Sequence, residues 1–307
     1  MNNYHLNMGL FRFPFYLSIK KIPRFELKFF RLKDERIELI ENPKKYQSFA
    51  LNLGIKRAKT KYIMRLDAHS QYPEDYVENC LLAIKRSGAD NVGGIFISKL
   101  KTNSFQELVV ASITTSVFGV GSSSFRIKHT SGFVKTVPYG FFRRRVFKEI
   151  GLFNERLIRN QDYEFNRRMI LNGMKIWLDR NIKVFYFNKT SLVNFYKKQF
   201  FQEGRFNVYM WYIAPYTYTL RHSATLFFFV LLILTALLTF VSQIPIVLLF
   251  VVYFFSSLIA SFVQSIKYKN IMLIFALPFS FLLFHLLHGA SSFYGLCNIL
   301  FNKDKRF

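Results

Sequence analysis

Two residues spaced to act together, Asp67 and His69, follow the apolar run Tyr62-Ile63-Met64-Arg65-Leu66. Read as a strand, that run sends residues i and i+2 to one face, so the carboxylate and the imidazole leave the strand end together. Open α/β sheets bind ligands at such strand ends. A carboxylate and an imidazole can share a divalent cation, and that cation can hold a phosphate. A solvated Asp-His turn is the plainer alternative. A second acidic position, Asp162 in Asn160-Gln161-Asp162-Tyr163-Glu164, falls near the start of a predicted helix, where the dipole favours a carboxylate. It reads either as an N-terminal cap or as a general base. A third cluster, Gln202-Glu203-Gly204-Arg205-Phe206, precedes the apolar C-terminal third and alone reads as the polar face of an interfacial helix.

The elements that must position these residues alternate. Gln47 to Ala58 has a helical apolar pattern, Tyr62 to Leu66 reads as a strand, and Pro73 opens a helix to about Lys85. Asp90 to Ile97 reads as a strand containing Gly93-Gly94. Ser98 to Ser131, rich in Ser and Gly, reads as a mobile loop with some helix. Phe147 to Phe153 and Asp162 to Asn172 read as helices, and Ile176 to Leu178 and Lys183 to Phe187 as two short strands. Such alternation argues an α/β domain over 35–190.

From about residue 223 to 307 the chain turns apolar. Thr225 to Val241, Ile244 to Ile266 and Ile271 to Phe301 carry no charged residue. Each approaches or exceeds the roughly 20 residues that span a bilayer, so about three transmembrane helices are expected. The last run is expected to kink at Pro278 or to end in a surface segment. The basic Lys267-Tyr268-Lys269 link is expected on the cytoplasmic side, and the N-terminal domain with it. Residues 191–222 interleave aromatics with cations, as a helix lying on membrane lipids does. The 43 Lys and Arg against 18 Asp and Glu give a net charge of +25, which calls for anionic partners. Ordered acidic motifs argue against nucleic acid. Two distant cysteines, Cys80 and Cys297, support neither a disulfide framework nor a thiolate metal site.

In this order the motifs resemble an inverting family 2 glycosyltransferase of GT-A fold, most of all the membrane-bound subgroup with succinoglycan-type glucosyltransferases of bacterial exopolysaccharide synthesis. The resemblance rests on Asn42-Pro43, Ala50-Leu51-Asn52-Leu53-Gly54-Ile55, Arg65-Leu66-Asp67-Ala68-His69-Ser70, Val137-Pro138-Tyr139-Gly140-Phe141-Phe142, Gly151-Leu152-Phe153-Asn154-Glu155, Asn160-Gln161-Asp162-Tyr163-Glu164 and Gln202 to Phe206. It implies a nucleotide-sugar donor, UDP-hexose foremost, and a polyprenyl-diphosphate-linked glycan acceptor at the bacterial inner membrane, with the catalytic domain cytoplasmic. It implies that Asp67 faces the donor and, with His69, holds Mg²⁺ or Mn²⁺, and that Asp162 is the catalytic base. Gln202, Arg205 and Phe206 resemble the QxxRW element, with Phe in place of Trp. Arg205 would contact the donor diphosphate; Gln202 and Phe206, with Tyr139 and Gly140, would border the acceptor. Gln47 and Asn52 would approach the nucleotide.

The resemblance also implies a strand, a loop and a helix ahead of Asn42-Pro43, and residues 1–34 show no such pattern. The expected fold is therefore a Rossmann-like nucleotide-diphospho-sugar transferase domain lacking part of its first β-α-β, followed by transmembrane helices. A truncated, catalytically inactive member of the family is the alternative expectation.

Overall fold

The computed structural model describes residues 15–19, 36–67, 70–102, 104–121, 123–127, 130–187 and 191–301. In chain order the elements are β1 (Phe15–Ile19), β2 (Ile37–Glu41), α1 (Gln47–Arg57), β3 (Tyr62–Met64), β4 (Ser70–Gln71), α2 (Tyr76–Ser87) and β5 (Asn91–Lys99). Next come α3 (Phe105–Thr114), α4 (Val117–Val120), α5 (Ser124–Ile127), β6 (Gly132–Phe133), β7 (Phe141–Arg143), α6 (Arg145–Glu149), α7 (Gln161–Leu171) and β8 (Ile176–Phe187). The C-terminal part holds α8 (Leu192–Lys198), a π turn (Gln199–Glu203), α9 (Gly204–Ile213), α10 (Leu220–Leu238), α11 (Ile244–Tyr268) and α12 (Met272–Phe301).

The fold is α/β, as the alternation predicts, and its main sheet is six-stranded, with strand order β3-β7-β5-β8-β4 and β6 on β8. The chain divides into two compact units, one of residues 1–67, 72–93 and 133–177, the other of residues 68–71, 94–132 and 178–307.

In the first unit β1 and β2 pair in parallel, Phe15 opposite Ile37 and Ile19 opposite Glu41. A strand therefore stands inside the segment expected to be patternless. β7 runs antiparallel to β3, with Met64 opposite Phe141, and antiparallel to β5, with Asn91 opposite Phe142. The core beneath is aromatic: Phe165 of α7 is fully buried and lies 4.4 Å from Phe153, 5.2 Å from Phe147 and 5.7 Å from Phe142, ring to ring. Arg168, one turn along α7, pairs with Glu164 at 2.8 Å and donates to the carbonyls of Ile150 and Leu152. Those bonds fix α7 against the loop before it.

In the second unit β4 pairs antiparallel with β8, Ser70 opposite Tyr186. β8 is one twelve-residue strand where two short ones were expected. The polar Asp179-Arg180-Asn181 stretch breaks the apolar pattern without breaking the strand, because Asp179 Oδ1 accepts the Asn181 amide. The expected mobile loop contains α3. Val109, Val110 and Ile113 are buried against Leu273, Leu277, Phe281 and Phe284 of α12 and Phe195 of α8. Helices α10, α11 and α12 are each long and apolar enough to cross a membrane. Pro278 sits inside α12, which runs 30 residues without ending there.

Candidate active site

The chemistry-bearing residues of the first unit converge on Arg65, which the sequence presents only as part of the Arg65-Leu66-Asp67-Ala68-His69-Ser70 string. Arg65 follows β3, and its amide donates to the carbonyl of Gly140 at 3.1 Å. That bond ties the strand end carrying Asp67 to the Tyr139-Gly140 turn. Both turn residues have positive φ, 61° and 95°, which only glycine adopts without strain. A Cβ on Gly140 would meet Phe142 at 2.4 Å and Asn91 Oδ1 at 2.8 Å, so the position needs glycine twice over.

The Arg65 side chain is 6% exposed and forms an ion pair with Asp162. Its guanidinium also lies 5.5 Å from the centre of the Tyr139 ring. Burial disfavours the charged guanidinium, but the ion pair with Asp162 and the nearby charge of Asp67 outweigh it and raise the Arg65 pKa. Asp162 sits in the first turn of α7, which starts after Asn160 in the left-handed region, φ 62°. The helix thus delivers its carboxylate to the strand end across a charge pair. Asp67 is held by its backbone, its amide donating to the Tyr72 hydroxyl at 2.7 Å. Tyr72 packs on Tyr76 and Tyr139, centroids 4.8 and 6.2 Å away.

Gln47 joins this neighbourhood: its Oε1 accepts from Gln161 Nε2 at 2.8 Å, linking the first turns of α1 and α7. Beside it lies an open cleft of about 530 Å³ lined by Lys44, Lys45, Tyr46, Gln47, Ile158 and Arg159. Lys45 holds φ 59°, supported by Asn42, whose Oδ1 accepts the Lys45 amide while its Nδ2 donates to the Tyr46 carbonyl.

The structure gives Asn52 a different job from the one expected. It is 2% exposed; its Nδ2 donates to Phe153 O at 2.9 Å and Glu155 Oε1 at 3.0 Å, and its Oδ1 accepts the Phe153 amide. Both amide hydrogens are spent on pinning the 153–155 loop, leaving no donor for a nucleotide. Phe206 likewise is 6% exposed and lies under the Arg205 guanidinium at 5.1 Å, so it packs inside the second unit rather than offering a ring face. Gln202 lies in the π turn, and the Arg205 amide donates to Ser291 Oγ at 3.0 Å. Gly204 and Gly295 admit this close packing, since a Cβ on Gly204 would meet the His288 carbonyl at 2.4 Å.

His69 lies outside the described residues. Among those described, no group of three His, Cys, Asp or Glu residues gathers to form a cage. Asp67 nevertheless fits a hard divalent cation of the kind that takes one or two protein ligands and fills its remaining positions with phosphate oxygens and water.

Residues 23–151 match the family model for Glycosyl transferase family 2. The chain carries a glycosyltransferase family 2 domain. The match begins ahead of β2 and takes in Asn42-Pro43, Asp67 and the Tyr139-Gly140 turn; Asp162 follows it. A dolichyl N-acetyl-alpha-D-glucosaminyl phosphate 3-beta-D-2,3-diacetamido-2,3-dideoxy-beta-D-glucuronosyltransferase of Methanococcus voltae is 29% identical over 277 residues, 85% of this chain and 79% of that protein. Succinoglycan biosynthesis protein ExoA of Rhizobium meliloti (strain 1021) is 29% identical over 175 residues, 56% of this chain. The match spans about half of ExoA, 52% of its length. Among solved structures, GalNAc-T7 with UDP, GalNAc and Mn²⁺ superposes with a TM-score of 0.44 at 11% identity, over 66% of this chain and 44% of that one. S. aureus TarS 1–349 with UDP-GlcNAc gives 0.42 at 13% identity, over 61% and 55%. The family assignment rests on the sequence matches.

Proposed function

We propose that this glycosyltransferase moves a sugar, with inversion, from a nucleoside-diphosphate donor to a membrane lipid-linked oligosaccharide in exopolysaccharide or capsule synthesis. The observation that carries the reading is the Arg65–Asp162 pair, formed two residues before Asp67 by the first turn of α7. Asp162 takes the proton from the acceptor hydroxyl as its oxygen bonds to the anomeric carbon. The bond from that carbon to the donor phosphate breaks, and the nucleoside diphosphate leaves with the electron pair. Arg65 fixes the direction of the carboxylate. Asp67 and His69 are the residues that would hold Mg²⁺ or Mn²⁺, which when bound offsets the charge on the leaving diphosphate.

Gln47, beside the basic cleft of Lys44, Lys45 and Arg159, is proposed to lie on the donor side. Arg205 is assigned by resemblance to the donor diphosphate, and Tyr139, Gly140 and Gln202 to the acceptor. The names of the relatives support a lipid-linked acceptor, since one is a dolichyl-phosphate sugar transferase and another serves succinoglycan synthesis. Three helices long and apolar enough to cross a membrane support a membrane location, and the Lys267-Tyr268-Lys269 link favours a cytoplasmic catalytic domain.

The test is transfer in proteoliposomes supplied with labelled UDP-sugars and a polyprenyl-diphosphate-glycan extract. The expected result is a labelled lipid product from the wild type and its loss with Asp162→Asn. Absence of product from the wild type, or full activity in Asp162→Asn, would refute the reading.

A further inference from the structure

Between the strand that carries Gly93-Gly94 and the Tyr139 turn lies a stretch that the catalytic reading does not use. Leu108 to Phe125 carries no charged residue, bracketed by Glu107 and Arg126. It contains the end of α3 and all of α4, which pack on helices of their own unit. Thr115 Oγ1 lies 2.9 Å from the Tyr268 hydroxyl and 3.4 Å from Gln264 Oε1, near the C-terminal end of α11. Three residues on, the Phe118 ring is 5.4 Å from Tyr253 and 5.1 Å from Phe281.

Those contacts set a depth. Tyr253 lies within the charge-free run Ile244 to Ile266, about 13 Å from its start and about 20 Å from its end at the helical rise of about 1.5 Å per residue. Phe118 therefore sits beside the middle of a membrane span. The outward faces at the same level are apolar too: Val252 and Phe255 on α11, and Phe279 on α12, are exposed. From Phe105 to Phe118 the chain is too short to cross a bilayer and must turn back.

We infer that α3 and α4 form a re-entrant element that enters the membrane beside α11 and α12 and reverses at Gly119-Val120-Gly121, with lipid hydrocarbon covering its outer face. Val117, 59% exposed on α4, is the residue that meets lipid. Non-helical backbone survives at membrane depth only where its polar groups are satisfied by protein. That condition is met. The carbonyl of Phe118 accepts a hydrogen bond from His285 Nε2 at 2.9 Å. A carbonyl can only accept, so Nε2 carries the proton and Nδ1 accepts from the Tyr253 hydroxyl, 2.8 Å away. The hydroxyls of Ser112, Thr114 and Thr115 fold back onto the carbonyls of Leu108, Val110 and Ala111. The reversal needs glycine at both ends: a Cβ on Gly119 would meet the Ile113 carbonyl at 2.2 Å, and Gly121 has φ 71° with the Arg221 side chain 2.8 Å from its Cβ position. The element explains an intramembrane histidine that the transfer chemistry leaves without a role.

The inference rests on α10 to α12 lying in a membrane, and the test separates the two. The full chain, with Cys80→Ala and Cys297→Ala, takes a bimane label at one introduced cysteine and is reconstituted in phosphatidylcholine vesicles. The positions are Val117→Cys, Phe262→Cys on α11 and Leu82→Cys on α2. The label at 262 is expected to be quenched by mid-chain doxyl lipid and protected from aqueous iodide, and the label at 82 the reverse. The label at 117 is expected to follow that at 262. If 117 follows 82 while 262 behaves as stated, the re-entrant element is wrong and the membrane spans stand. If 262 also follows 82, both fall.

Discussion

Replacing Arg65 by Met removes the positive partner of Asp162 without removing the carboxylate. Losing one member of a buried ion pair costs about 3–5 kcal/mol when the survivor stays buried. Here the survivor is 31% exposed, so water can reclaim part of its solvation. A loss of stability of about 1–3 kcal/mol is expected. The effect on transfer differs in kind. Without Arg65 the Asp162 side chain samples several rotamers, and only some face the acceptor hydroxyl. We expect kcat to fall by about one to two orders of magnitude, equivalent to about 1.4–2.7 kcal/mol, with the donor KM little changed. Arg65→Lys should recover much of kcat, because a cation returns to the same place, though it lacks the planar fork that suits a carboxylate. The decisive assay is the double-mutant cycle: Arg65→Met, Asp162→Asn and the combination, with kcat measured in proteoliposomes and folding followed by thermal melting. If Arg65 acts through Asp162, adding Arg65→Met to Asp162→Asn costs little further activity, and the coupling energy approaches the full Arg65→Met effect of about 1.4–2.7 kcal/mol. Fully additive losses in well-folded variants would refute the positioning role.

Three further outcomes follow from the geometry. Gly140→Ala should lower the melting temperature sharply, since it adds a Cβ at φ 95° against Phe142 and Asn91; a cost above about 2 kcal/mol is expected, and an unchanged melt would contradict the turn. Asn52→Ala should cost about 1–3 kcal/mol of stability by orphaning the Phe153 amide, while donor KM in the folded protein stays at the wild-type value; a large rise in KM would return Asn52 to the donor site. Chelation with EDTA should abolish transfer and either Mg²⁺ or Mn²⁺ should restore it, with Asp67→Asn needing far more metal; metal-independent transfer would remove Asp67 and His69 from the proposed role.

What the sequence made legible was what repeats or what is polar at a strand end. Helix α1 was readable from its apolar pattern, and strand β5 as a short run dominated by Val92, Ile95, Phe96 and Ile97. The apolar spans were readable because length alone marks them. Asp162 could be picked as a candidate because a carboxylate in a first helical turn has a physical reason to be there. Arg65 was missed as a partner because it lies 97 positions from Asp162 (162 minus 65), and no local pattern links a strand residue to a helix start across such a gap. For Asn52 and Phe206, spacing says which face a residue shares, not whether its polar atoms or ring are already engaged. Helix α3 was legible only as some helix within a loop, because it is buried on most sides, which flattens the period that betrays a surface helix. The one signal that could have found it was the charge-free run from Leu108 to Phe125, which resembles the later spans in composition and differs in length.

The bond between Phe118 and His285 joins residues 167 positions apart. During synthesis at about 5–20 residues per second, the carbonyl waits on the order of ten to thirty seconds for its partner to leave the ribosome. For that interval the apolar stretch after Glu107 has neither α11 nor α12 to pack on. Its placement is therefore a late event in biogenesis that is complete only after α12 has been inserted, and a nascent chain stalled before α12 would expose it to chaperones and proteases.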